Sequence, residues 1–229
     1  MIFRVFPDDK NDIKDLKDFY DNVYVKCFPN EDERESFENI LYYLNESDNH
    51  EDYTYYIFLY KDYDTKEVQG GIIFDCFFDS YFGVLEFLAV KPNCQSKGIG
   101  DKLYRTAYNI LYSYEVRYIF GEIEKPEVNT FKVKKYLNMW RSRGYKKICF
   151  NYIQPSLSKD KLPVEVLDLI VLDMNEKSLK QYIDKEVLFN CIFNFFYRCF
   201  DIKRPRNNIY FKQMYNSCHN DFIELKDIE

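Results

Sequence analysis

Hydrophobic positions recur along the chain with two different periods. Apolar residues that alternate with polar ones indicate strands, whereas apolar residues spaced three and four positions apart indicate helices. The alternating pattern predicts strands at residues 2–6, 54–60, 69–78, 83–90, 116–123, 145–153 and 166–172. Helical spacing runs through residues 13–23, 37–44, 98–114 and 132–143. The predicted order is β-α-α-β-β-β-α-β-α-β-β, which places the chain in the α/β class.

The C-terminal part of the chain has a different pattern. A charged stretch, EKSLKQYI, has the pattern of a helix start near residue 176 and leads into the apolar run VLFNCIFNFFYRCF at residues 187–200. That run is too short to cross a bilayer, so we expect a buried helix, with a contact in a homodimer as a further idea. We predict one domain over residues 1–175 and a helical extension, residues 176–229, packed on it.

Composition and charge narrow the class of function. The 229 residues carry a net charge of −6 and a pI near 5.2. This acidic balance argues against a protein whose main partner is nucleic acid. The seven cysteines are odd in number, form no Cys-x-x-Cys pair and follow no recognisable signal peptide. We therefore expect free thiols, a cytoplasmic location and no membrane attachment.

The stretch LAVKPNCQSKGIG, residues 88–100, joins a predicted strand to a predicted helix. The first N–H groups of a helix have no partner within it, and the helix dipole adds positive charge there. Because Gly98 and Gly100 have no side chains, an anion with several oxygens, such as a pyrophosphate, can approach those groups. The stretch lacks the Gly-Lys-Ser/Thr of nucleotide triphosphatases. Leu103 stands where the dinucleotide fingerprint has its third glycine.

Five residues of this stretch carry a family resemblance, namely Val90, Pro92, Gln95, Gly98 and Gly100. They resemble the Gln/Arg-x-x-Gly-x-Gly/Ala signature of the Gcn5-related N-acetyltransferase (GNAT) superfamily. The resemblance implies a mixed, mostly antiparallel sheet flanked by helices, and acetyl transfer from acetyl-CoA to an amine by direct attack, without a metal. It also implies that the backbone of Leu88, Ala89 and Val90 binds the pantetheine arm. The amides of Gln95, Ser96, Lys97, Gly98, Ile99 and Gly100 would then hold the pyrophosphate.

Glu86 is the candidate general base. Strict alternation along the strand places Val84, Glu86, Leu88 and Val90 on one face. A carboxylate among apolar neighbours has a raised pKa, which suits a proton acceptor. The alternative is an ordinary ion pair with a nearby Lys or Arg.

The general acid is harder to assign. In the superfamily a Tyr often stands four residues before the glycine that ends the next helix, but here Trp140 precedes Gly144 at that spacing. An indole N–H cannot act as a general acid at neutral pH. Tyr136, one helical turn earlier, is the substitute candidate, and a core aromatic is its alternative role. Water as the acid, or a non-catalytic acyl-CoA sensor or regulator, remain open as well.

Acidic residues gather at two places suited to a cationic acceptor. One is NEDERES, residues 30–36, for which a solvated loop is the favoured interpretation, and the other is GEIEKPE, residues 121–127. Glu122 and Glu124 alternate onto one strand face and would attract an ammonium group, and a solvated surface is the alternative for both. Tyr152 and Gln154 are further candidates, because their Tyr-x-Gln-Pro segment resembles one in a bacterial subgroup. We expect a small-molecule or peptide amine as acceptor, and the negative charge disfavours aminoacyl-tRNA.

Overall fold

The computed structural model describes residues 1–47, 50–125, 132–174 and 181–228, without the side chains of residues 132–136. These residues form two compact units, Met1–Val116 and Arg117–Glu229. Both units combine helices with antiparallel strands, so the predicted α/β class is confirmed. None of the helices in the described ranges combines the length and apolar composition that a bilayer crossing requires.

The first unit is built on four antiparallel strands in the order in which they occur along the chain. They are β1 (Ile2–Arg4), β2 (Tyr53–Lys61), β3 (Val68–Phe77) and β4 (Phe82–Val90). Its helices are α1 (Lys10–Phe19), α2 (Val25–Cys27), α3 (Phe37–Ser47) and α4 (Ile99–Ser113), with a π-helical turn, Tyr20–Tyr24, between α1 and α2.

Helices cover both faces of this sheet at close range. On one face, the Tyr24 ring of the π-helical turn meets the Phe87 ring edge-on at 5.0 Å, and Tyr43 of α3 lies 5.8 Å from Tyr55. On the other face, Leu111 of α4 packs so closely on Gly83 that an added Cβ would lie only 2.6 Å from it. Burial of these apolar surfaces from both sides stabilises the strands that carry the site.

A β-bulge interrupts β4 at Glu86. Ile73 of β3 pairs with Phe87, and the next residue of β3 pairs with Leu85, so Glu86 is an extra residue in the ladder. A bulge places two consecutive residues opposite one and shifts the alternation of faces. Val84 therefore shares the face of Phe87, and the prediction that Val84 and Glu86 lie on the face of Leu88 is wrong.

The second unit has five antiparallel strands in the order β5-β7-β6-β9-β8. They are β5 (Tyr118–Glu124), β6 (Lys146–Ile148), β7 (Leu167–Asp173), β8 (Tyr182–Asp184) and β9 (Phe222–Asp227). Its helices are α5 (Lys132–Ser142), α6 (Lys185–Cys199) and α7 (Ile209–Ser217). Gly144 follows α5 with a φ of 86°, the left-handed conformation expected after a helix end.

The C-terminal extension contains the predicted apolar helix, α6, with its apolar side chains largely buried. It also adds two strands that the sequence pattern did not indicate, and β9 pairs with both β6 and β8. The end of EKSLKQYI is strand rather than helix, because Tyr182–Asp184 pairs with β9. The predicted domain boundary after residue 175 falls outside the described residues and stays a prediction.

Candidate functional site

The strand–turn–helix at residues 88–100 exposes the N-terminus of α4. After β4 the chain makes a 3-10 turn, Pro92–Cys94, and then takes left-handed φ angles of 64° at Ser96 and 79° at Gly98. The first intrahelical bond of α4 runs from the Lys102 N–H to the Gly98 carbonyl at 3.1 Å. The N–H groups of the first turn, which precede Lys102, therefore have no acceptor within the helix.

The space in front of this helix end is open. A Cβ built on Gly98 would meet no atom within 4 Å, and one on Gly100 would lie 3.6 Å from Val90 Cγ2. Ser96 and Lys97 are exposed beside it. The residues present fit the pyrophosphate of coenzyme A, because an anion can reach the helix N–H groups without displacing a side chain.

Gln95 holds the turn to the end of β4. Its side-chain Nε2 donates a hydrogen bond to the Val90 carbonyl at 3.2 Å, and its backbone N–H points to the Pro92 carbonyl at 3.4 Å. Cys27 Sγ approaches the same Val90 oxygen at 3.5 Å. The Gln95 side chain thus fixes the position of the glycine turn from within the protein.

Glu86 lies in a cluster of acids and tyrosines rather than among apolar side chains. Its carboxylate oxygens approach those of Asp75 within 4.8 Å, and Asp75 is fully buried. The Tyr53 hydroxyl donates to Asp75 Oδ1 at 2.7 Å. Burial, and then the Glu86 charge, raises the pKa of Tyr55 well above its usual value, so that hydroxyl keeps its proton. Glu86 itself is half-buried and therefore accessible.

Glu35 is a member of this cluster that the sequence did not reveal. It comes from NEDERES, where a solvated loop was favoured, yet only 3% of its surface is exposed. Its N–H donates to the Tyr24 hydroxyl at 2.8 Å, and Asn39 Nδ2 donates to its Oε2 at 2.8 Å. Ser36 caps α3 by accepting from the Asn39 N–H. No pattern within NEDERES distinguishes Glu35 from the neighbouring acids, because its burial depends on tertiary contacts with Tyr24 and Asn39.

In the second unit, Glu122, Tyr152 and Gln154 come together. The Tyr152 hydroxyl donates to Glu122 Oε1, and Gln154 Nε2 donates to Glu122 Oε2 at 2.8 Å. Burial raises the pKa of Glu122 to about 7. The two hydrogen bonds act in the opposite direction and lower this pKa, but burial has the larger effect. Burial, and then the Glu122 charge, raises the pKa of Tyr152, so its hydroxyl remains a donor.

Gln154 leaves one hydrogen-bond acceptor unused beside Glu122. Its backbone pairs with Val164 in both directions, at 3.0 Å and 2.9 Å, which fixes the residue in place. Its side-chain Oε1 is buried and has no hydrogen-bond partner among the described residues. A carboxylate with a pKa near neutrality and a free amide oxygen together suit a ligand that carries N–H groups.

Glu124 and Trp140 join neither group. Glu124 shares the strand face of Glu122 and is exposed. Trp140 is buried with its ring 5.0 Å from the ring of Tyr145, as in ordinary core packing. The Tyr136 side chain and Glu127 lie outside the described residues.

Comparison with known proteins assigns the family. A family model described as the acetyltransferase (GNAT) family matches residues 17–133, more than half of the chain. The chain belongs to the GNAT family. It is accordingly an acyltransferase, and membership implies acyl-CoA as donor and an amine as acceptor. No curated protein matches the sequence.

Solved structures share this fold at low sequence identity. A protein of Bacteroides thetaiotaomicron described as a GNAT-family acetyltransferase has a TM-score of 0.61 at 19% identity, covering 86% of this chain and 96% of its own. Tetrahymena GCN5 has a TM-score of 0.50 at 15% identity, covering 79% of this chain and 99% of its own. At such identities the likeness shows the fold alone, so the acceptor must be argued from the site.

Proposed function

We propose that this GNAT protein transfers the acetyl group of acetyl-CoA to a primary amine by direct attack in a ternary complex. The observation that carries the proposal is the open, side-chain-free N-terminus of α4 at Gly98. The backbone amides from Ser96 to Gly100 hold the pyrophosphate, and the Gln95 N–H instead supports the turn by donating to the Pro92 carbonyl. The backbone of Leu88, Ala89 and Val90 binds the pantetheine arm.

Glu86 is the proposed proton acceptor. It lies two residues before Leu88 on the strand that binds the donor, and it is accessible although its neighbour Asp75 is buried. An amine attacks a thioester only when it has lost its extra proton, so a carboxylate beside the donor promotes the reaction. Glu86 takes that proton directly or through a water molecule.

Glu122 is the proposed ligand for the acceptor amine, with Glu124 adding negative charge on the same strand face. Tyr152 is fully buried and acts by holding the Glu122 carboxylate in place, and the Gln154 oxygen offers an acceptor to the N–H groups of the amine. The acceptor is a small molecule or a peptide that carries a primary amine, and it is attracted as a cation.

The proposal is tested by calorimetric titration with acetyl-CoA followed by release of free thiol against a panel of polyamines, aminoglycosides, amino acids and peptides. Donor binding with thiol release for one class supports the transferase and identifies its acceptor class. Donor binding without release for any amine would favour a sensor or regulator instead, in agreement with Trp140 at the position of the usual tyrosine. Failure to bind the donor would contradict the assignment of residues 88–100.

A further inference from the structure

Three carboxylates and three tyrosines converge on one face of the first unit's sheet. Asp75 and Glu35 are buried, with 0% and 3% of their surfaces exposed, and Glu86 beside them is half-buried. Tyr53 binds Asp75 through its hydroxyl, and Tyr24 accepts a hydrogen bond from the Glu35 backbone. Carboxyl groups this close together in a region of low dielectric cannot all ionise alone, so a positively charged ligand that lets them ionise is favoured.

The hydroxyl of Tyr55 provides a second and independent sign of a ligand. Tyr55 is 1% exposed, and its Oη has no hydrogen-bond partner among the described residues. Buried polar groups are almost always paired, so an orphaned one calls for a water molecule or a ligand group. Tyr55 lies directly across from Asp75 in the β2–β3 ladder, on the same face of the sheet.

All three carboxylates act on that hydroxyl. After burial, the charges of Glu86, Asp75 and Glu35, in that order, raise the pKa of Tyr55. An ammonium group has three N–H donors and no acceptor, so it can bond a hydroxyl oxygen and two carboxylates at once. The group of donors and acceptors around Tyr55 matches such a ligand in both charge and hydrogen bonding.

We propose that Tyr55, Asp75 and Glu35 form a subsite for a second ammonium group of the acceptor, beside the Glu86 base. The inference rests on the proposed function, which it deepens by naming a dicationic amine as the acceptor. The carboxylates of Asp75 and Glu86 lie within 4.8 Å of each other. The two amino groups are therefore a short distance apart, as in a diamine with about three or four carbon atoms between them.

The test compares putrescine with butylamine, which has the same chain length and lacks the second charge. We expect kcat/KM for putrescine to exceed that for butylamine by about tenfold or more, as for a hydrogen bond to a charged group. Tyr55→Phe and Asp75→Asn should each reduce this ratio by about tenfold. Glu38→Gln, which removes an exposed carboxylate three residues from Glu35, should leave the ratio unchanged.

The outcomes separate this subsite from the transferase itself. Thiol release with equal efficiency for both amines, or an unchanged ratio in Tyr55→Phe, would overturn the subsite and leave the proposed function standing. If no amine releases thiol, calorimetric titration with putrescine tests whether the subsite binds a diamine without transfer. Binding by the wild type that Tyr55→Phe weakens supports the subsite without the transfer, and no binding overturns it. Tyr55→Phe removes only an unpaired hydroxyl, so it should fold even if Asp75→Asn does not.

Discussion

The protonation of Glu122 near neutral pH gives a prediction whose size follows from the structure. A pKa of about 7 in the folded protein, against an ordinary 4.5, means that the folded state binds more protons than the unfolded state between those values. The free energy of unfolding therefore falls as pH rises through this window, and the contribution of Glu122 to it is about 3 kcal/mol in all. The loss is nearly complete by about pH 8.

Glu122→Gln removes this titration without changing the shape of the side chain. The introduced amide nitrogen needs a hydrogen-bond acceptor at the place where Gln154 Nε2 donates to the wild-type carboxylate. Rotation of the Gln154 side-chain amide by half a turn brings its unused Oε1 to that place. The difference in free energy of unfolding, variant minus wild type, should therefore grow by about 2.5 kcal/mol between about pH 5 and pH 8. Urea unfolding at intervals across that range measures it.

Glu124→Gln is the matched control, because it removes an exposed carboxylate from the same strand face. The difference in free energy of unfolding between Glu124→Gln and the wild type should vary little with pH. If the Glu122→Gln difference were equally constant, Glu122 would be ionised throughout, and burial would not hold its proton. The same titration should appear in turnover assays. A plot of kcat/KM against pH should change slope near pH 7 in the wild type, and Glu122→Gln should remove that change.

Three further predictions concern the donor and the proton transfers. Gly98→Ala should weaken acetyl-CoA binding by about tenfold in calorimetry. Gly144→Ala is the control, because Gly144 has a φ of 86° and Gly98 one of 79°, so both variants carry similar backbone strain, yet Gly144→Ala should leave the affinity intact. Equal losses of affinity would assign the effect to strain. Glu86→Gln should lower turnover about 100-fold, most at low pH, with donor affinity nearly unchanged; unchanged turnover would remove Glu86 from the mechanism. Tyr136→Phe should slow thiol release if Tyr136 is the acid, and a rate equal to wild type would leave that step to water.

Local signals in the sequence were sufficient for the order of elements from β1 to β7 and for the glycine turn before α4. Periods of two and of three to four residues are set by backbone geometry, so they identified β4 and α4 before any contact was known. The left-handed conformations at Gly98 and Gly144 follow from the same local chemistry, because glycine adopts them at little cost. Glu122 and Tyr152, two separate candidates from the sequence, are joined by a hydrogen bond, and their roles in binding an acceptor stay predictions.

Features fixed by pairing between distant segments were not predictable. The bulge at Glu86 depends on how β3 pairs with β4, and nothing in VLEFLAV itself shows an extra residue. It carries the Glu86 side chain to the Asp75 face, away from Leu88. Likewise β9 exists because β6 and β8 offer free edges to it, and a short polar segment becomes a strand only in their presence.

The net charge of the chain therefore says less about the acceptor than a few buried carboxylates do. Exposed acids act through water and are screened by salt, so most of the negative charge has little influence on a bound amine. Glu122 and Asp75 lie where the effective dielectric is low, and there a single charge has a large energy. For Glu122 that energy appears as a raised pKa, so the carboxylate holds a proton until pH approaches 7. An arriving ammonium favours the ionised form, and binding of the amine should therefore lower the pKa of Glu122 and release a proton. Calorimetry in buffers of different ionisation enthalpy would detect this proton, and its absence near pH 6 would contradict the assignment of Glu122 to the acceptor.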